Sequence, residues 1–122
     1  MRVLLAEDEP VSSRKLSAMA RAWGYDPILV ADGSAAWEVL QRADTPRLAV
    51  LDWMMPGLDG PELCRLLRER EGPYVYVLLL TSRDGEEDVL AGLDAGADDY
   101  VTKPYSPQEL RHRMNAGDRK SV

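Results

Sequence analysis

The chain has 122 residues and a formal net charge of −6, from 15 lysines and arginines against 21 aspartates and glutamates. This length suits one domain with a buried core, and the acidic balance disfavours nucleic-acid binding through bulk charge, because phosphate backbones select basic surfaces. A single cysteine, Cys64, excludes an internal disulfide.

The N-terminus does not resemble an export signal, since only four apolar residues separate Arg2 from an acidic triplet. No run approaches the roughly 20 apolar residues of a membrane span. We therefore expect a cytoplasmic protein that does not contact a membrane. Cys64 lies on the apolar face of a predicted helix and is interpreted as a packing residue, and His112, the only histidine, as a surface residue.

Short apolar runs alternate with helical patterns through the first half of the chain. Gly24 stops the first helix, and the Asp32–Gly33 turn precedes the second. The elements predicted here are a strand at residues 3–6, helices at residues 12–23 and 34–42, and a strand at residues 48–51.

The second half continues the alternation. Pro61 opens a helix at the position where a missing N–H costs nothing, and the Gly72–Pro73 pair ends it. The elements that follow are a strand at residues 77–80, a helix at residues 86–95, a strand at residues 100–102, and a helix from Ser106–Pro107 to near Gly117.

The apolar runs are continuous, as is typical of strands buried on both faces of a parallel sheet. Four of the predicted strands have the bounds given above. A count of five strands alternating with five helices predicts an α/β fold, a doubly wound (βα)₅ parallel sheet with right-handed crossovers. We assign residues 1–117 to this single domain and residues 118–122 to a polar tail.

The residues that follow the strands carry the chemistry. Carboxyl ends of parallel strands meet at one edge of the sheet, where ligands bind, so we expect the triplet Glu7–Asp8–Glu9 to approach Asp52, Thr81 and Lys103. Crowded carboxylates disfavour joint ionisation unless a cation intervenes, and oxygen ligands suit Mg²⁺. The triplet alone fits a solvated turn before a helix N-terminus equally well, but Asp52 and Lys103 favour a metal site.

Asp52 is the candidate nucleophile, because a carboxylate can attack a phosphoryl group to give an acyl phosphate. Such a transfer depends on positioning and charge neutralisation. Lys103 can pair with one phosphoryl oxygen, and Thr81 offers a hydroxyl to another. A cis bond between Lys103 and Pro104 is also predicted, since an X–Pro bond directly after a strand would then turn the lysine into the site.

Four sequence motifs together carry a family resemblance over nearly the full length of the chain. They are Glu7–Asp8–Glu9, the segment Leu51–Gly60 (LDWMMPGLDG), Leu80–Thr81–Ser82, and the segment Gly96–Tyr105 (GADDYVTKPY). With them, the chain resembles the receiver domain of two-component response regulators. The resemblance implies a flavodoxin-like fold with sheet order 2-1-3-4-5.

The resemblance also implies residue roles. Asp52 would accept phosphate from the phosphohistidine of a sensor histidine kinase or phosphotransfer protein. Mg²⁺ would be bound by Asp8, Asp52 and the Met54 backbone carbonyl, with Glu7 acting through water. Thr81 and Lys103 would hold the phosphoryl group. As the domain switches, Thr81 would move toward the phosphate and Tyr100 would rotate inward behind it, although a core or interface tyrosine is the alternative for Tyr100.

The loop after Asp52 has residues suited to a tight turn. Gly57 and Gly60 are not restricted by a Cβ, and Pro56 fixes the entry to the turn. By the same resemblance, Met54 and Arg83 flank the path of the water that hydrolyses the acyl phosphate. An apolar Met54 cannot hydrogen-bond that water, so we expect slow self-dephosphorylation.

Three other functions fit the residues less well. A phosphohydrolase of the haloacid dehalogenase type needs Asp-x-Asp-x-Thr after its first strand, and Pro10 stands where the second Asp would be. A flavin-binding module needs a small-residue phosphate loop, where this chain has three carboxylates. A receiver that works without phosphorylation is the third, although every acceptor-site residue is present. We expect a signalling phosphoacceptor rather than an enzyme for an external substrate.

The expected readout surface comprises the helix from Glu86, the strand at Tyr100 and the helix from Pro107. Its mixed charge suits a salt-bridged homodimer, and a solvated face fits nearly as well. The polar ending resembles the start of a connector, so we expect a covalent output domain beyond Val122. A single-domain regulator that acts by docking is the alternative. Nucleic-acid binding by this domain itself is not expected.

Overall fold

Five strands and five helices alternate along the chain in the computed structural model, which describes residues 1–82 and 86–120. The strands are β1 (Arg2–Ala6), β2 (Asp26–Val30), β3 (Leu48–Asp52), β4 (Tyr76–Thr81) and β5 (Asp99–Thr102). The helices are α1 (Pro10–Ala22), α2 (Gly33–Leu40), α3 (Gly60–Glu69), α4 (Glu86–Ala95) and α5 (Pro107–Lys120).

All strand pairs are parallel, and the sheet order is β2-β1-β3-β4-β5. Every residue of β3 and β4 is buried, because these strands lie inside the sheet with helices over both faces. This confirms the predicted (βα)₅ fold and the order that the family resemblance implied. It also confirms that continuous apolar runs marked strands covered on two sides.

Residues that alternate along the strands belong to two separate hydrophobic cores, one on each face of the sheet. Leu4 and Leu51 pack with α2, α3 and α4 on one face, whereas Leu5 and Val50 pack with α1 and α5 on the other. Cys64 is fully buried in the first core, and His112 is exposed on α5. Both agree with their interpretation as a packing residue and a surface residue.

The helix ends show how local sequence fixes their boundaries. Helix α1 begins at Pro10, two residues before the predicted start, because Glu9 supplies the N-cap. Helix α3 begins behind a reciprocal capping box, in which Asp59 and Glu62 each accept a backbone N–H of the other. Gly24 follows α1 with a φ of 91°, as the glycine stop predicts.

Helix α5 runs to Lys120, three residues beyond the predicted end near Gly117. Gly117 does not stop the helix; it lets the helix approach the sheet. A Cβ at this position would lie 2.6 Å from a ring carbon of Tyr76 and 2.8 Å from Leu48 Cδ1. The connector expected at the C-terminus stays a prediction.

None of the described helices is both long and apolar enough to cross a membrane. The cytoplasmic location expected from the sequence stays a prediction.

Candidate functional site

The strand register brings the predicted site residues to one edge of the sheet. Asp52 ends β3 and pairs with Leu80 of β4, so Thr81 follows one residue farther along. Thr81 pairs with Thr102 of β5, and the backbone N–H of Lys103 donates to the Thr81 carbonyl at 2.7 Å. Three consecutive strands in the sheet thus deliver the acceptor, the hydroxyl and the ammonium side by side.

Three carboxylates gather at this edge. One oxygen from each of Glu7, Asp8 and Asp52 lies within 4.8 Å of the others. Glu7 is 3% exposed and Asp52 is 8% exposed, whereas Asp8 is exposed. A cluster with two buried members and one open member has the form of an incomplete cage that solvent can enter.

The third acidic residue of the triplet has a different role. The Glu9 carboxylate accepts the backbone N–H groups of Val11 at 3.0 Å and Ser12 at 2.7 Å. These hydrogen bonds, that from Ser12 most, hold the pKa of Glu9 below its usual value. The two interpretations of the triplet therefore apply to different members: Glu7 and Asp8 join the cluster, and Glu9 caps α1.

Lys103 neutralises part of the negative charge. Its Nζ lies 3.1 Å from Glu7 Oε1 and 3.1 Å from Asp52 Oδ1. Burial alone would lower the pKa of Lys103, but its hydrogen bonds and attraction to Asp52 and Glu7 raise it above the usual value. The lysine is therefore held as the cation, and the peptide bond to Pro104 is cis, as predicted.

The raised pKa of Glu7 shows that the single ammonium of Lys103 does not balance the negative charge of the three carboxylates. Burial most, and then the neighbouring Asp52, raise the pKa of Glu7, Lys103 lowers it, and together they take it from 4.5 to about 7. The second carboxylate oxygen, Oε2, is buried without a hydrogen-bond partner among the described residues. An oxygen cluster with excess negative charge and an unsatisfied buried acceptor fits a hard divalent cation such as Mg²⁺.

The loop after the acceptor, residues 53–59, is called here the acceptor loop. The N–H of Trp53 donates to the Leu80 carbonyl at 2.8 Å, and the Trp53 carbonyl accepts from Gly60 at 2.8 Å. Gly57 has a φ of 79°, and a Cβ at Gly60 would lie 2.8 Å from the Asp52 carbonyl oxygen. Both glycines are thus required by geometry, as the sequence predicted.

The sequence did not identify one residue that shapes this loop. Gly33, at the start of α2, donates its N–H to the Pro56 carbonyl at 3.0 Å. In the sequence this glycine indicated only a turn before a helix. A contact between residues 33 and 56 has no local sequence signal that could have revealed it.

The remaining predicted residues lie around this centre. Thr81 is 1% exposed, and the Met54 side chain is 62% exposed beside the acceptor. Tyr100 on β5 is partly buried and packs on the core formed with α2, α3 and α4. Arg83, predicted to tune phosphoryl lifetime, lies outside the described residues.

Comparison with known proteins agrees with this geometry. Residues 3–115 match the family model for the response regulator receiver domain. The DNA-binding response regulator MtrA of Mycolicibacterium smegmatis is 39% identical over 115 residues, covering 94% of this chain and 49% of that protein. The chain spans about half the length of the curated relatives it matches.

Two solved structures show the same fold. The receiver domain of Francisella response regulator 1452 has a TM-score of 0.92 and 32% identity, covering 99% of this chain and 98% of that one. The receiver domain of Pseudomonas aeruginosa sensor histidine kinase PA1611, which has a magnesium ion coordinated in its active-site cleft, has a TM-score of 0.83 and 33% identity over 94% of each chain. The sheet order, the acidic edge and these matches show that the chain belongs to the receiver domain family of two-component response regulators.

Proposed function

We propose that Asp52 is the phosphoacceptor of this receiver and takes a phosphoryl group from the phosphohistidine of a kinase or phosphotransfer protein. The observation that carries the proposal is the surroundings of Asp52. Its Oδ1 lies 3.1 Å from the Lys103 ammonium, and its carboxylate belongs to an oxygen cluster with Glu7 and Asp8. Lys103 holds the Asp52 carboxylate in position, and its positive charge offsets part of the negative charge of the cluster.

In the transfer, a carboxylate oxygen of Asp52 forms a bond to phosphorus, and the bond from phosphorus to the donor's histidine nitrogen breaks with its electron pair staying on nitrogen. The product on this chain is an acyl phosphate. Lys103 supplies positive charge to a phosphoryl oxygen. The Thr81 hydroxyl would donate a hydrogen bond to another, since Thr81 ends the neighbouring strand.

Asp8, Asp52 and the Met54 carbonyl would hold Mg²⁺ directly, and Glu7 would hold it through water. When bound, Mg²⁺ supplies positive charge that the crowded carboxylates and the phosphoryl oxygens both need. The fit rests on the unsatisfied Glu7 Oε2 and on three carboxylates facing one ammonium. The magnesium ion in the active-site cleft of the PA1611 receiver domain supports Mg²⁺ as the metal for this chain.

A groove beside the acceptor offers room for the phosphodonor. It encloses about 580 Å³ between α1 and the connection from β5 to α5, with Met19, Lys103 and Tyr105 in its lining. A largely apolar groove next to Lys103 suits the side chains of a helix that presents a phosphohistidine. We propose this groove as the docking site of the kinase or phosphotransfer protein.

Phosphorylation would then favour one conformation of the loops around Asp52. Turning a 1:99 mixture into 99:1 requires about 5.5 kcal/mol of differential interaction, and charge-assisted hydrogen bonds contribute about 1.5–3 kcal/mol each. Contacts from Thr81, Lys103 and the metal would together supply this differential interaction. Tyr100, packed against the core behind this edge, would transmit the change to α4, β5 and α5.

The face formed by these three elements is proposed as the output surface. Asp99 pairs with Arg113 at 3.0 Å within the chain, so a homodimer that used these charges would exchange an existing pair for a new one. Exposed Leu90 and Leu93 on α4 add apolar area to the face. Its target is a second copy, or an output domain of the kind that the name of DNA-binding MtrA indicates.

Intact mass measurement tests the acceptor. Wild type incubated with Mg²⁺ and acetyl phosphate should gain one phosphoryl group, whereas Asp52→Asn should gain none and a chelator should abolish the reaction. Asp26→Asn, an exposed carboxylate on edge strand β2, is the matched control and should react like wild type. If folded wild type with Mg²⁺ gains no adduct, or if Asp52→Asn gains one, the proposal is wrong.

A further inference from the structure

The first turn of α2 and the acceptor loop meet without a side chain between their backbones. Gly33 is buried, and a Cβ at this position would lie 1.8 Å from the carbonyl oxygen of Leu58 and 2.5 Å from its carbonyl carbon. The Gly33 N–H also donates to the Pro56 carbonyl at 3.0 Å. Two stretches of backbone that are distant in the sequence are therefore in direct contact.

The loop side of this contact also leaves little room for a side chain. Gly57 adopts a φ of 79°, and a Cβ there would lie 2.8 Å from Ser34 Oγ. The turn itself is fixed by Asp32, whose side chain accepts the N–H of Ala35 at 2.7 Å as the N-cap of α2. A capped helix end thus presents a rigid backbone surface to the middle of the loop.

The loop is held at its two ends by the sheet and in its middle by α2. Trp53 bonds to Leu80 of β4, and Gly60 closes back on Trp53. These two bonds fix where the loop leaves and returns, whereas Gly33 contacts the segment from Pro56 to Leu58 between them. The position of the residues between, Met54 and Met55, depends on both supports.

We infer that Gly33 is a positioning residue for the Mg²⁺ site: its missing Cβ and its N–H set the acceptor loop that carries Met54. This inference rests on the proposed function, in which the Met54 carbonyl is a ligand. An alanine at position 33 would need the Leu58 carbonyl to move by about 1.6 Å to reach an ordinary contact of 3.4 Å. A shift of that size would displace the part of the acceptor loop that follows Met54.

We expect Gly33→Ala to keep its fold and to lose affinity for Mg²⁺. Replacing a residue that positions a metal ligand, but does not itself bind the metal, typically lowers metal affinity about 10- to 100-fold. We expect Gly33→Ala to bind Mg²⁺ more weakly by that factor in calorimetric titration with Mg²⁺ alone. In acetyl phosphate reactions its half-saturating Mg²⁺ concentration should rise, while the rate at saturating Mg²⁺ should fall much less.

Gly117→Ala is the matched control. Its Cβ meets Tyr76 and Leu48 as closely as 2.6 Å, away from the acceptor loop, so it should lower the free energy of unfolding without changing Mg²⁺ affinity. If Gly33→Ala folds and binds Mg²⁺ as wild type does, the inference is wrong. It is equally wrong if Gly117→Ala weakens Mg²⁺ binding as much, because the effect would then be a general loss of stability.

A second variant covers the case in which Gly33→Ala does not fold. Asp32→Ala removes the N-cap and loosens the first turn of α2 without adding volume, so it should weaken Mg²⁺ binding in the same direction by a smaller factor. Unchanged Mg²⁺ affinity in folded Asp32→Ala would overturn the inference. Failure of the proposed function looks different: wild type would then bind Mg²⁺ yet gain no phosphoryl group on Asp52.

Discussion

Glu7→Gln should stabilise the Mg²⁺-free protein above neutral pH, although it replaces a charged residue of the site. Burial, and then Asp52, raises the pKa of Glu7 from 4.5 to about 7 in the folded chain. The folded state therefore binds the proton more tightly than the unfolded state. The stability that this preference contributes is complete below about pH 4.5 and is lost as the pH rises through about 7.

The magnitude follows from the same pKa values. At about 1.4 kcal/mol per pKa unit, the difference between 4.5 and about 7 corresponds to roughly 3 kcal/mol. Glu7 is 3% exposed, so solvent screens little of this effect. Glutamine has the shape of the protonated acid and does not ionise. It should therefore keep the stability that wild type loses on ionisation, while its oxygen can still accept from Lys103.

Urea unfolding at pH 5 and pH 8, with and without Mg²⁺, measures the difference between variant and wild type. Without Mg²⁺ we expect a small difference at pH 5 and a gain of about 3 kcal/mol for Glu7→Gln at pH 8. Mg²⁺ should reduce this gain, because the cation stabilises the ionised wild-type cluster more than the variant. Glu38→Gln, exposed on α2, is the control and should change neither value. A variant no more stable than wild type at pH 8 would refute the reasoning.

Two further predictions concern the neighbourhood of Asp52. Met54→Asn should shorten the lifetime of the phosphorylated form, because an amide beside the acceptor can hydrogen-bond the attacking water and an apolar side chain cannot; an unchanged half-life by intact mass would contradict this. Gly92→Ala should destabilise the protein, since its Cβ would lie 2.9 Å from the Trp53 ring and 3.1 Å from Leu79 Cδ1. Overpacking should cost more than alanine gains from its better helix propensity, so we expect the free energy of unfolding in urea to fall by about 1 kcal/mol. Equal or greater stability would show that α4 shifts to make room for the methyl group.

Much of the site could be predicted because topology does most of the positioning. Once β3 and β4 are recognised as strands buried on both faces, parallel pairing places the residues after them at one edge. Asp52 and Lys103 needed no knowledge of side-chain conformation, only of where each apolar run ended. That is why their meeting at this edge could be predicted from short sequence patterns. In the structure, Lys103 Nζ and Asp52 Oδ1 lie 3.1 Å apart.

The roles of the three acidic residues could not be assigned in advance, because the exact start of a helix is among the features that a sequence pattern fixes least well. Which residue caps the helix depends on where α1 begins. Glu9 turned out to be the N-cap, so its carboxylate serves the helix backbone. Glu7, two residues earlier, is buried beside Lys103. A helix start one residue earlier would have made Asp8, a member of the carboxylate cluster, the N-cap instead.

Gly33 shows a different limit of sequence reasoning. A glycine after an aspartate ordinarily indicates a turn that needs a positive φ, as Gly24 and Gly57 have. Gly33 is not among the glycines with positive φ; it begins a regular helix and is required because Leu58 leaves no room for a Cβ. The requirement comes from a segment 25 residues away along the chain, so the local pattern gave the correct residue the wrong reason. A glycine that is required because a distant segment leaves no room for a Cβ can be identified only when the structure shows both segments. For Gly33, that segment belongs to the loop that carries Met54, a proposed ligand of Mg²⁺.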